Sequence, residues 1–144
     1  MMSEAAYEAY EVRVPPGNVI DTHVHIGDWL EFGLSFSLDD LEVVMAQYGY
    51  SGAVVIPALQ GHRVTQNQNL LKQVADDSRF YFFAWVDGTT TWAELESYGD
   101  GLRGLKFHPS ISQTSITEGR MLSALRFADE RGLPFLYHAG RTPI

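Results

Sequence analysis

What most constrains the fold of this chain is a repeated alternation between short apolar, β-branched runs and segments of helical period. The clearest run, Gly52-Ala53-Val54-Val55-Ile56-Pro57, is continuously apolar, as a strand covered on both faces must be. Before it, Leu38, Leu41, Val44, Met45 and Tyr48 recur at three- and four-residue spacing, the mark of a helix with one buried face. Ser37 is placed to cap that helix, Asp39 and Asp40 suit its first turn, and Gly49 ends it. The pattern predicts strands over residues 20–25, 52–57, 79–86, 102–108 and 134–138, and helices over 38–48, 66–76, 92–98 and 118–131. Leu70, Leu71, Val74 and Ala75 mark the inner side of the second helix; Met121, Leu122, Leu125 and Ala128 mark that of the last, which Gly132 closes. Five parallel strands alternating with four helices require right-handed crossovers and an α/β sheet. Residues 1–17 read as a polar, acidic tail or edge element, punctuated by Pro15-Pro16-Gly17.

Composition narrows the function classes. With 45% hydrophobic residues in 144, the chain can bury a single core. A net charge of −8 argues against nucleic acid as a partner, because phosphate binding needs clustered cations. No apolar run is long enough for a membrane span, and no cationic, apolar leader marks secretion. The absence of cysteine excludes disulfides and thiolate metal sites and fits a cytoplasmic protein.

The five histidines then sort themselves. His23 and His25 share one face at the end of the first strand, since alternate strand residues point the same way. His108 ends the fourth strand, His138 ends the fifth, and His62 lies in the loop after the second. All fall on the carboxyl edge of the sheet, where parallel α/β proteins bind ligands. A divalent metal accepts lone pairs from several imidazoles at once, so a metal or catalytic site involving His23, His25 and His138 is expected.

Three segments carry a family resemblance. Ile20-Asp21-Thr22-His23-Val24-His25, Gly104-Leu105-Lys106-Phe107-His108-Pro109 and Leu136-Tyr137-His138-Ala139-Gly140 together resemble the amidohydrolase superfamily, in the amidohydrolase-related branch of hydrolases and non-oxidative decarboxylases. The resemblance runs in order from about Val19 onward. It implies a metal-bearing (β/α)8 TIM barrel in which His23 and His25 ligate from the first strand and His138 from the fifth. A full barrel has eight strands and about 250 residues, so residues 18–144 would be the N-terminal part of one, a partial barrel of five strands. The family's sixth-strand histidine and eighth-strand aspartate are not among these residues. A fragment of a longer protein is therefore expected, in preference to a natural or engineered partial barrel.

The implied chemistry is that of a metal-dependent hydrolase. Zinc is the expected ion for imidazole and oxygen ligands, with manganese or iron compatible. Such an ion acidifies water for attack on an amide, ester or lactone carbonyl, here of a small and anionic substrate; the decarboxylase alternative uses it to orient a carboxylate. Lys106 and His108 face the interior from one strand, with Gly104 leaving room below. Lys106 is open to three readings: a charge partner for an anionic substrate, a carbamylated bridging ligand by resemblance to two-metal relatives, or a lysine held by interior carboxylates such as Asp21. His108 either faces substrate or supports the site. Asp21, at the parity of the two histidines, accepts hydrogen bonds from neighbours or orients an imidazole.

Trp29, Phe32 and Phe36 fall in the loop after the histidine motif, where they pin the loop or wall a pocket. Arg63 and Arg141 are cations on the ligand edge suited to a carboxylate; His62 and Gln60 have no assigned role. Two other classes are compatible with these residues: a metal-independent enzyme on the same scaffold, and an inactive partial barrel acting by association with another chain. Open strand edges, with Val19, Val54, Ile56 and Leu136 lacking facing partners, predict self-association.

Overall fold

The computed structural model describes residues 18–59 and 61–139. Gln60, Arg141 and the expected tail over residues 1–17 lie outside the described residues. Within them the strands are β1 (Val19–Trp29), β2 (Leu34–Phe36), β3 (Tyr50–Pro57), β4 (Phe80–Trp85), β5 (Leu102–Phe107) and β6 (Phe135–Tyr137). The helices are α1 (Leu38–Tyr48), α2 (Arg63–Val74), α3 (Trp92–Ser97), α4 (Pro109–Ser112) and α5 (Leu122–Arg131).

One sheet has the order β2-β1-β3-β4-β5-β6, parallel throughout except for β1 against β2. Each crossover moves one strand further in the same direction, without the reversal that defines a doubly wound sheet. The helices therefore gather on one side and the sheet curls into part of a barrel. No helix among the described residues is long and apolar enough to cross a membrane.

Local chemistry sets the helix ends. The Ser37 hydroxyl accepts from the Asp40 amide at 3.1 Å, and the Asp40 carboxylate accepts from the Ser37 amide at 2.8 Å, a reciprocal cap. Gly49 ends α1 in the left-handed conformation, at φ 72°, with its amide donating to the Met45 carbonyl. Leu41 and Met45 are the fully buried residues of α1, placing its inner face where the 3.6 period puts it.

Two apolar layers flank the sheet. The larger lies under the helices, with Ala53, Val55, Phe82, Ala84, Leu105 and Phe107 from the strands. The smaller fills the concave side with Val54, Ile56, Phe83 and Trp85, joined by Trp29, Leu59 and Leu136. Contrary to expectation, Val54 and Ile56 are therefore buried, at 8% and 0% exposure, because aromatic rings from β4 cover them. Gly104 makes this possible: a β-carbon there would overlap the ring of Phe83, its register partner on β4.

The expectation of five strands, all parallel, and four helices needs correction: among the described residues there are six strands, one antiparallel, and five helices. The added strand arises because β1 continues past the histidines to Trp29 and folds back through a 3-10 turn at Leu30–Phe32. Gly33, at φ 62°, closes that turn. Trp29, Phe32 and Phe36 thus belong to a hairpin and not to a loop. The added helix, α4, starts with Pro109 at its first position, where a missing amide costs nothing. The second helix starts earlier than expected, at Arg63, and the last begins at Leu122 after a 3-10 turn, Gly119–Met121.

A bulge in β1 overturns the parity expected of Asp21, but not its expected role as a hydrogen-bond acceptor for the neighbouring backbone. Asp21 pairs with Ala53 and Val24 with Val55, so β1 spends three residues where β3 spends two. Asp21 consequently falls at the register of Ala53, a residue of the helix-side core, whereas His25 falls opposite Ile56 on the concave side.

Candidate metal centre

The carboxyl edge of the sheet encloses a cavity of about 470 Å³. His23, His25, His108 and His138 all line it, together with Trp29, Phe32 and Trp85 among others. His23 comes from the bulge of β1 itself and His25 from just past it. There the Asp21 carboxylate accepts from the His23 amide at 3.0 Å, holding the backbone through the irregular step. His108 follows β5 and caps α4, its Nδ1 accepting from the Ile111 amide at 3.4 Å; this bond leaves the proton of the neutral ring on Nε2. His138 follows β6, where its amide extends the ladder to the Phe107 carbonyl at 3.0 Å.

The rings form two pairs. Nε2 of His23 and Nε2 of His25 are 3.2 Å apart. Two imidazole nitrogens bound to one tetrahedral zinc at the usual bond length of about 2.05 Å would be separated by about 3.3 Å. The pair therefore fits two positions of such an ion, and the same spacing also allows one N–H to donate to the other nitrogen. His108 and His138 stack face to face, with centroids 3.8 Å apart and planes at 15°. Among the described residues no group of three or more His, Cys, Asp or Glu side chains is gathered so as to hold a metal ion. The fold brings His23 and His25 together and puts His138 in the same cavity, on the ring of His108.

Burial favours the neutral form of His23, His25 and His108. Burial pushes the His25 pKa down to about 4, and the neighbouring His23, Lys106 and His108 act the same way against the opposing Pro57 carbonyl. Among the described residues, Nδ1 of His25 is buried with no partner at hydrogen-bond geometry. Burial likewise lowers His23, assisted by Lys106 and His138 and opposed by Asp21. His108 is lowered by burial, then by His138 and Lys106. Neutral imidazoles keep a lone pair free, the state that metal binding needs.

Lys106 does not line the cavity. It sits one step deeper on β5, 1% exposed, its Nζ 5.9 Å from the Trp85 ring centre, and burial lowers its pKa. Among the described residues no carboxylate contributes to that shift. Arg63 is also not the free cation expected on the ligand edge. Its guanidinium grips Glu94 with both Nη atoms, donates to Asp87 at 3.0 Å, and reaches the Trp85 carbonyl at 3.1 Å. His62 precedes α2 and does not line the cavity, its Nδ1 lying 3.4 Å from the Thr65 hydroxyl.

Sequence reasoning overlooked Trp85, whose indole stands 5.8 Å from His25 and 6.4 Å from His108 between ring centres. The available signal was its parity with Phe83 on an aromatic strand. Glu31, Leu34, Ser110 and Ile111, which complete the rim, lie in segments without periodicity and gave no such signal.

Solved structures share this fold. A probable 2-pyrone-4,6-dicarboxylic acid hydrolase from Acinetobacter baumannii, solved with citric acid bound, aligns with a TM-score of 0.65 at 18% identity, covering 85% of this chain and 50% of that one. A protein from Agrobacterium tumefaciens, solved in its apo form, aligns with a TM-score of 0.63 at 18% identity, covering 85% of this chain and 48% of that one. The chain thus spans about half the length of these structures. Neither a protein-family model nor a curated protein matches it. At this level of identity the likeness establishes the fold: a mixed α/β chain whose six-stranded sheet curls into a half-barrel.

Proposed function

We propose that this chain carries the histidine half-site of a metal-dependent hydrolase of the amidohydrolase type. The observation that carries the reading is the 3.2 Å approach of the His23 and His25 Nε2 atoms at the carboxyl end of β1. His23 and His25 would hold the ion, and His138 would join them by turning off the His108 ring. A divalent ion there, zinc by preference for imidazole ligands, supplies Lewis acidity toward water and a substrate carbonyl.

The protein's own groups do the rest. The Nε2–H of His108 is a donor to a substrate oxygen, and Lys106 contributes positive charge from deeper in the interior, favouring an anionic substrate. Trp29, Phe32 and Trp85 exclude water from one side of the cavity and receive an apolar body. The likeness to a probable 2-pyrone-4,6-dicarboxylic acid hydrolase agrees with a lactone or ester substrate bearing carboxylates. Because the chain spans half of its structural neighbours, metal binding is the property to test in this chain.

Isothermal titration with Zn²⁺, paired with elemental analysis after dialysis, provides that test. Wild type is expected to retain zinc, with His23→Ala and His25→Ala each losing most of the affinity and His138→Ala losing a smaller part. Affinity unchanged by both β1 substitutions would overturn the assignment.

A further inference from the structure

The cavity wall depends on a residue that does not touch it. The β3–β4 ladder ends at the pair Val55/Phe82, so among the described residues Trp85, three residues further along β4, has no strand on that side to bond its backbone. The side chain of Asn67, from α2, takes the place of a strand. Its Oδ1 accepts from the Trp85 amide at 2.9 Å, and its Nδ2 donates to the Trp85 carbonyl at 3.0 Å. The same Nδ2 also lies 3.2 Å from the Tyr98 hydroxyl, which itself donates to Glu94 at 2.8 Å. Arg63 adds a second donor to the Trp85 carbonyl.

Asn67 is fully buried in the interior of α2, where asparagine is a poor helix former. Only its hydrogen bonds account for it there. Trp85 is gripped at its other end as well, where the indole N–H donates to the Pro57 carbonyl at the end of β3. Held at backbone and ring tip together, the indole has a fixed place between His25 and His108.

We infer that Asn67 is a positioning residue: by clamping the Trp85 backbone it sets the indole against His25 and so fixes the orientation of that imidazole in the cavity. The functional weight of this inference rests on the proposed metal reading, while the positional claim stands on the hydrogen bonds alone. A merely structural Asn67 would stabilise α2 against the sheet without moving the His25 ring when replaced.

Histidine- and tryptophan-resolved NMR of the 144-residue chain separates the two roles, because an indole displaces the resonances of ring protons near it. Asn67→Ala is expected to shift the Trp85 indole N–H and the His25 ring protons, and to weaken Zn²⁺ binding about tenfold, the lower end of what loss of a supporting group costs a metal ligand. Val74→Ala, a truncation in the helix-side core on the same helix, is expected to lower thermal stability while leaving those resonances in place. Asn67→Asp keeps the size of the side chain and the acceptor for the Trp85 amide but loses the donor; it is expected to give a smaller shift, and it serves if the alanine variant does not fold.

Resonances of His25 and Trp85 unmoved in the Asn67 variants, or moved equally by Val74→Ala, would overturn the inference. Wild-type His23 and His25 nitrogens that ignore Zn²⁺ while Asn67→Ala still moves the rings would overturn the metal reading and leave the positioning role intact.

Discussion

Trp85 and Lys106 are register partners across β4 and β5, with the lysine ammonium 5.9 Å from the centre of the indole ring. Among the described residues the indole face offers a favourable electrostatic surface to a cation that is 1% exposed. Methionine keeps the volume of the stem and removes the cost of burying a charge. Lys106→Met is therefore expected to melt at or above the wild-type temperature, since apolar groups replace poorly paired buried charges at little cost. On the proposed reading, the same change in a full hydrolase carrying this half-site should raise KM for a carboxylate substrate while metal content stays constant. Calorimetry and steady-state kinetics read the two effects, and a melting temperature lowered by more than about 5 °C would give the ammonium a structural role instead.

The neutral state of His25 makes stability depend on acid. The unfolded imidazole titrates near 6.5 and the folded one at about 4, so between these values the unfolded chain binds a proton that the folded chain refuses. The stabilisation is present above 6.5 and drains away as the pH falls toward 4. For the metal-free protein the loss attributable to this ring is about 2–4 kcal/mol. Urea unfolding between pH 7 and 4 should show that decline in wild type and a flatter curve in His25→Asn. Parallel curves would mean that His25 is protonated in the folded state.

Phe83 occupies the space that any side chain at Gly104 would need. Gly104→Ala should cost about 1–3 kcal/mol by forcing the ring off its position, as overpacked cores do. Phe83→Leu in the same chain should recover part of that loss, a coupling that a double-mutant cycle measures. Additive effects of the two substitutions would show that the clash is relieved by backbone movement.

Much of this architecture is local and was legible in the sequence. The Ser37 and Asp40 cap, the left-handed Gly49 and Gly132, the apolar run of β3 and the shared face of His23 and His25 each depend on residues a few positions apart. Backbone geometry and side-chain period act at that range, so the α/β alternation and the carboxyl-edge histidines followed from them. The structural likeness to proteins of twice the length bears out the half-barrel in its coarse form.

Other features were decided only when distant segments met. The bulge between Asp21 and Val24 turns Asp21 away from the register of His25, and no pattern within β1 announces it, because a bulge is defined against the partner strand. The hairpin that claims Trp29 and Phe36 needs β1 to outrun β3, and the stacking of His108 on His138 needs β5 beside β6. Arg63 reads as a ligand-edge cation until Asp87 from the β4–α3 connection and Glu94 from α3 arrive to neutralise it. Asn67 reads as an ordinary polar helix residue until the parting of β3 and β4 leaves the Trp85 backbone for it to bond. The sequence determined which elements form and which edge carries the histidines, since those follow from short-range periodicity; only the tertiary structure decided which side chains meet, because burial and hydrogen bonding are satisfied between segments that the linear order keeps apart.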